Sequence, residues 1–268
     1  MDKELKLWLQ ATRRLPRVRG SGRMAGYVQR FYNRKPRERV RVPVLNFTME
    51  LDPSECVDGA LLFAPQLFDH REFELLRGLI KPGDVFLDAG ANIGIYSLVA
   101  SRLAGGTGEV IAIEASAENY SWLRANCELS GAKNVRCLHV GLSDKPEKLR
   151  MACSFYGNKS GNSFLKESPI GEWVDCLPLH DVLLANGVRK IDGAKFDIEG
   201  FEFKVLQPFF ASAPAELWPR FLIFEHNADL VGKSGGDVRE LLQSVGYSIQ
   251  PVADQNYLAE RKHTQPGQ

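Results

Sequence analysis

The chain has 268 residues, 44% of them hydrophobic and 25% charged, and a net charge of +1. That length holds one large domain or a domain with a small extension, and the apolar fraction is ordinary for a globular protein. No stretch approaches the ~20 apolar residues that cross a bilayer, and the start, Met1 through Leu9, is too charged for the apolar region of a signal peptide.

Charge is distributed unevenly. Residues 1–41 carry thirteen Lys/Arg against three Asp/Glu, so the remainder is net acidic. Arg13, Arg14, Arg17, Arg19, Arg23, Arg30, Arg34, Lys35, Arg37, Arg39 and Arg41 make up most of this basic extension. Its plainest reading is a solvated, partly disordered leader. A contact for nucleic acid, an anionic membrane surface or an acidic partner is the sharper alternative. Leu5, Trp8, Leu9 and Leu15 fall near one helical face, which allows a short amphipathic helix.

After the leader, Val42–Leu51 alternates apolar and polar residues and reads as a strand or hairpin arm. Asp69–Ile80 has helical spacing in Phe73, Leu76, Leu79 and Ile80, and Lys81-Pro82-Gly83 stops it. Strands then alternate with helices: strand Val85–Asp88, helix Ile93–Leu103, strand Val110–Glu114, helix Glu118–Leu129 and strand Val135–Val140. Residues 143–172 break the rhythm and read as a long loop of functional kind. Helix Leu179–Asn186, strand Ala194–Ile198, helix Glu202–Phe209, strand Phe221–Glu225 and helix Asp237–Val245 complete the pattern. Residues 42–250 are thus expected to form one α/β domain, a mostly parallel sheet with helices on both faces, with 251–268 as a tail.

Candidate chemistry gathers at the strand ends, where ligands bind in open α/β sheets. The first strand ends in Asp88-Ala89-Gly90-Ala91-Asn92-Ile93-Gly94 and the second in Glu114. Glycines let backbone approach a ligand, and the second acid can accept two ribose hydroxyls. Asp88 stands where a dinucleotide fingerprint has its first glycine, and would repel a pyrophosphate. A cationic nucleoside without phosphates fits better, which points to S-adenosylmethionine. Ser143 and Asp144 after the third strand add a candidate contact to adenine. The fourth strand ends in Lys195-Phe196-Asp197-Ile198-Glu199 and the fifth in Glu225-His226. Asp197 and Glu199, two apart, would share a face and supply a base or help hold a divalent metal, with Glu225 or His226 completing the ligation. His226 has the ordinary near-neutral pKa of a proton acceptor. The cysteines, Cys56, Cys127, Cys137, Cys153 and Cys176, form no CxxC pair, give no zinc site, and suit a reducing, cytoplasmic setting.

These residues together resemble the FkbM family of S-adenosylmethionine-dependent methyltransferases. The likeness is carried by Lys81–Asp84, Asp88–Gly94, Glu114, Lys195–Glu202, Phe224–His226 and the layout of Gly157–Ser163, over roughly residues 42–230. It implies a Rossmann-like class I fold of seven strands with the last reversed, and O-methylation of a hydroxyl on a sugar or natural product. It also implies that Asp88, Gly90, Asn92 and Glu114 bind cofactor, with Asp197, Glu199 and His226 facing the acceptor. Phe155, Tyr156, Phe164 and Trp173 would suit a sugar acceptor. Two rival functions share the fold: a nucleic-acid methyltransferase clamping phosphates with the leader, and a silent binding module.

Overall fold

The basic extension is where the fold departs furthest from expectation. In the computed structural model, which describes residues 3–18, 20–35, 37–152, 164, 171–227, 235–253 and 255–262, it forms two packed helices. Helix α1 (Lys3–Thr12) buries Leu5, Leu9 and Thr12, and α2 (Ser21–Tyr32) buries Ser21, Ala25 and Tyr32. Leu5, Leu9 and Tyr32 join the same apolar cluster as Leu51, Leu62 and Phe63. Several arginines serve structure rather than solvation. Arg13 donates to the carbonyls of Leu62 (3.0 Å) and Pro43 (2.7 Å), Arg17 to that of Gln66, and Arg37 lies over the Tyr32 ring. The solvated leader is thereby corrected: three buried side chains per helix suffice to dock it, and guanidinium groups satisfy the carbonyls beneath. Removing the Leu5 side chain should therefore cost a core-type ~2–5 kcal/mol, read from the denaturant midpoint of Leu5→Ala.

The next segment is a hairpin, β1 (Val40–Val44) and β2 (Phe47–Leu51), closed by Leu45 and Asn46 with φ of 48° and 68°. Positive φ at both turn residues matches the twist of the flanking strands. Helices α3 (Cys56–Phe63) and α4 (His70–Leu79) follow.

The alternating units then build the main sheet: β3 (Val85–Ala89), α5 (Ile95–Ala104), β4 (Glu109–Glu114), α6 (Ala117–Leu129) and β5 (Val135–His139). The expected loop at 143–172 instead contributes to a small sheet of β6 (Gly141–Ser143), β7 (Glu147–Ala152) and β8 (Gly171–Pro178), in the order β6-β8-β7. Leu149 and Met151 face Val174 and Cys176 there, an alternation interrupted by too many charges to stand out in sequence. Phe155, Tyr156 and Gly157–Ser163 lie outside the described residues. Helix α7 (Leu179–Ala185), β9 (Gly193–Phe196), α8 (Glu202–Ser212), β10 (Phe221–Glu225), α9 (Val238–Ser244), β11 (Tyr247–Ala253) and β12 (Asn256–Arg261) complete the chain.

The seven strands run β5-β4-β3-β9-β10-β12-β11. The first five are mutually parallel, and β12 is antiparallel to both neighbours. This is the reversed-strand arrangement that the resemblance implied. The expected tail is thereby corrected for Asn256–Arg261, because β12 is seated inside the sheet. Side chains alternate between two cores, as the strand period of two requires. Phe86, Val110, Ala112, Phe221 and Ile223 face one; Leu87, Ala89, Ile111, Ile113, Leu222 and Phe224 face the other.

Candidate active site

Strand order reverses between β3 and β9, and at the carboxyl ends of the strands there a cavity of about 420 Å³ opens. The glycine turn forms one side. Gly90 has φ +82°, and a Cβ on it would run into the Asp197 carbonyl, so only glycine fits between the two strand ends. The amides of Gly90 and Ala91 both donate to the Ile113 carbonyl, at 3.0 and 2.9 Å. Asn92, at φ +50°, presents its amide to Glu114. Gly94, with φ +97°, stands at the N-terminal cap of α5 against Leu123, behind the cavity wall.

Glu114 is the fixed point of this side. One carboxylate oxygen accepts from the Asn92 amide and the other from the Ser116 amide, each at 2.8 Å. Burial pushes its carboxyl up to about 7, with those amide bonds opposing the shift. Each oxygen keeps a second lone pair for a ligand hydroxyl.

Asp88 is placed differently from its expected role. Strand alternation turns it away from Leu87 and Ala89 towards α5, where it is fully buried and accepts from Ser97 Oγ at 2.6 Å. Its other oxygen has no partner among the described residues. Asp88 and Lys195 are register partners on adjacent strands. Burial raises the Asp88 carboxyl, and the Lys195 charge works against that rise. Asp88 thus supports Lys195 from beneath instead of lining the cavity.

The opposite side is an ion cluster. Lys195 Nζ donates to Asp197 Oδ2 at 2.9 Å and lies 4.4 Å from the centre of the Tyr96 ring. Burial opposes its charge, but Asp197, Asp88 and Asp69 outweigh it and hold the ammonium above its usual value. Asp197 also hydrogen-bonds to Glu225. Burial opposes the charge of Asp197, yet Lys195 keeps its carboxyl below the ordinary range; burial and then Asp197 push Glu225 up to about 7. Two carboxyls and one buried ammonium form this unit, with Glu225 the carboxyl that titrates higher. Glu199 lines the same cavity in the left-handed region, at φ +54°.

Of the anticipated residues, Gly90, Ala91, Asn92, Glu114, Lys195, Asp197, Glu199 and Glu225 therefore share one cavity. His226 does not. Its ring is buried edge-on to Tyr257, with Nδ1 3.7 Å from Asp237, and burial lowers its pKa. Ser143 and Asp144 are also elsewhere: β6 leaves the main sheet to pair with β8, and both residues join Glu147 and Lys204 of α8 in a separate polar cluster. Trp173 is 60% exposed on β8, off the cavity wall, whereas Phe164 lies on it. No group of three or more His, Cys, Asp or Glu among the described residues is placed to hold a metal ion.

Among the lining residues that were not anticipated, Asp69, Tyr96 and Asn256 carry polar groups. Asp69, at φ +38°, accepts from Tyr96 Oη at 2.9 Å and links α4 to α5. Asn256 enters from β12 and is held by Glu72 at 2.9 Å. Each depends on a contact between distant segments that periodicity does not register.

A parallel sheet with this switch-point turn, and a reversed strand seated beside β10, defines a class I S-adenosylmethionine-dependent methyltransferase. The Methyltransferase FkbM domain model matches residues 88–249, and the chain belongs to that family. It is 28% identical over 208 residues to 31-O-demethyl-FK506 methyltransferase FkbM of Streptomyces tacrolimicus, covering 67% of this chain and 77% of that protein. Among solved structures it is similar to precorrin-6y C5,15-methyltransferase from Geobacter metallireducens GS-15 (13% identity, TM-score 0.43, 74% of this chain and 89% of that one). It is also similar to a SAM-dependent methyltransferase from Aquifex aeolicus (18% identity, TM-score 0.42, 72% and 89%). No helix among the described residues is long and apolar enough to cross a membrane.

Proposed function

We propose that the protein methylates a hydroxyl oxygen on a sugar or natural-product acceptor. The observation that carries this reading is the Asp197–Glu225 carboxyl pair on the cavity wall, tied to Lys195. A hydroxyl must lose its proton as its oxygen becomes alkylated, and a carboxylate titrating near neutrality is matched to take it. The name of the Streptomyces relative specifies an O-demethyl compound, which agrees with an oxygen acceptor.

The cavity suits the cofactor. Asp69, Glu114, Asp197 and Glu199 set four acids against Lys195 around it, a wall that favours a cationic ligand. Glu114 would hold the ribose hydroxyls and Gly90–Asn92 would pass beside the nucleoside. S-adenosylmethionine, when bound, supplies an electrophilic methyl group on a sulfonium. The chain's part is to align the acceptor oxygen with that carbon, to exclude water, and to move one proton from the hydroxyl to Glu225. Lys195 keeps Asp197 ionised, so that Glu225 carries the titrating proton of the pair.

Incubation with methyl-labelled S-adenosylmethionine and hydroxylated acceptors, followed by mass spectrometry, should place the label on oxygen; label on carbon or nitrogen alone would sink the reading. His226→Gln should keep kcat within about fivefold of wild type, because a group off the cavity wall supplies none of the ~10²–10⁴-fold that general base catalysis gives. A loss of hundredfold would return the base to His226.

A further inference from the structure

The two N-terminal helices present an outer surface that the catalytic domain does not use. Leu7 is 65% exposed, Val18 62%, Met24 57%, Tyr27 68% and Phe31 45%. In α2, Met24, Tyr27 and Phe31 follow at spacings of three and four and form one exposed row, while Ser21, Ala25 and Tyr32 face the core. Arg23 and Arg30 lie on the same helix and Arg34 just beyond it, the last stacked 4.6 Å over Phe31. Phe31 in turn meets Trp8 of α1 edge-on at 5.7 Å, which joins the two helices. Lys3 and Lys6 flank Leu7 on α1. Arg14, Arg23 and Arg30 form no ion pair among the described residues.

We propose that α1 and α2 form a peripheral docking surface for an anionic phospholipid bilayer. The surface offers two things at once: cations for phosphate headgroups, and Leu7, Met24, Tyr27 and Phe31 to enter the acyl boundary. Charge complementarity selects this occupant. A second copy of the chain would set arginine against arginine across a two-fold interface. A nucleic acid would use the cations but gain nothing from Leu7, Val18 and Met24, which neither stack on bases nor bond to phosphate. Short helices with a basic face and an apolar edge lie in the headgroup plane, so no membrane-spanning helix is needed.

Vesicle flotation of the full chain tests this, comparing phosphatidylcholine alone with phosphatidylcholine containing phosphatidylglycerol. Binding is expected only to the anionic vesicles and should weaken as salt rises. Leu7→Ser/Met24→Ser/Tyr27→Ser and Arg23→Glu/Arg30→Glu should each lower partitioning by at least about tenfold. These side chains point outward, so circular dichroism and S-adenosylmethionine affinity should match wild type and show that the fold persists. Three results would overturn the proposal: no binding to anionic vesicles, equal binding by the apolar variant, or capture of RNA in place of vesicles.

Discussion

Glu225→Gln should lower kcat by about 10²–10⁴-fold while leaving the Kd for S-adenosylmethionine nearly unchanged. Glutamine keeps the shape of the side chain and can still hydrogen-bond to Asp197, but it cannot accept the acceptor's proton. The sign of the pH dependence follows from the same pair. Burial and Asp197 hold the Glu225 carboxyl at about 7, so below that pH it carries a proton and cannot act as base. With donor saturating, turnover should therefore rise about tenfold per pH unit in the acid range and level off above neutrality. In the glutamine variant this limb should vanish. A variant within tenfold of wild type, or one with an unaltered pH profile, would remove Glu225 from the proton transfer.

Glu114→Gln should raise the cofactor Kd by about a hundredfold. Both carboxylate oxygens are occupied by backbone amides, from Asn92 and Ser116. A glutamine must turn its NH₂ towards one of them, donor against donor, which costs ~1–3 kcal/mol, and it also gives up charge-assisted acceptance of ribose hydroxyls. Wild type should show a related effect of pH. Since burial sets the Glu114 carboxyl at about 7, acidification protonates it and should weaken binding, whereas the glutamine variant should bind with no such dependence. Titration calorimetry across pH 5.5–8.5 reads both effects and keeps them apart from turnover. Equal Kd values for variant and wild type would mean that Glu114 does not touch the cofactor.

The legible parts of this fold were those where burial is complete. Phe221–Glu225 is buried along four of its five residues, so its apolar run stands out at its true limits. Strands β3, β4 and β9 are likewise buried, and Gly90, Glu114 and Lys195, at or next to their ends, meet in the cavity. Half-exposed elements hid. In β7 and β8 the buried Met151, Val174 and Cys176 sit among Lys148, Arg150, Glu172 and Asp175, and in α1 and α2 the cations Lys3, Lys6, Arg23 and Arg30 are as many as the buried apolar residues. Which strand-end residues turn inward is also beyond periodicity alone. Ser143 was expected just after the third strand of the main sheet, but it lies in β6 of a different sheet. His226 follows Glu225 directly, and the pleat that aims one into the cavity aims the other away. Asp69, Tyr96 and Lys195 meet only because α4, α5 and β9 are packed together.

The place of β12 has a consequence for biosynthesis. Strand β11 reaches the sheet only through β12, and β12 is the last of the seven to be made. On the ribosome, Phe221–Glu225 must wait with one apolar edge unpaired after every other neighbour is in place. An open edge of that composition invites pairing with another nascent chain. The final hairpin is the seal that ends this exposure, so a slowed or truncated synthesis near residue 256 should yield aggregates rather than a shorter enzyme.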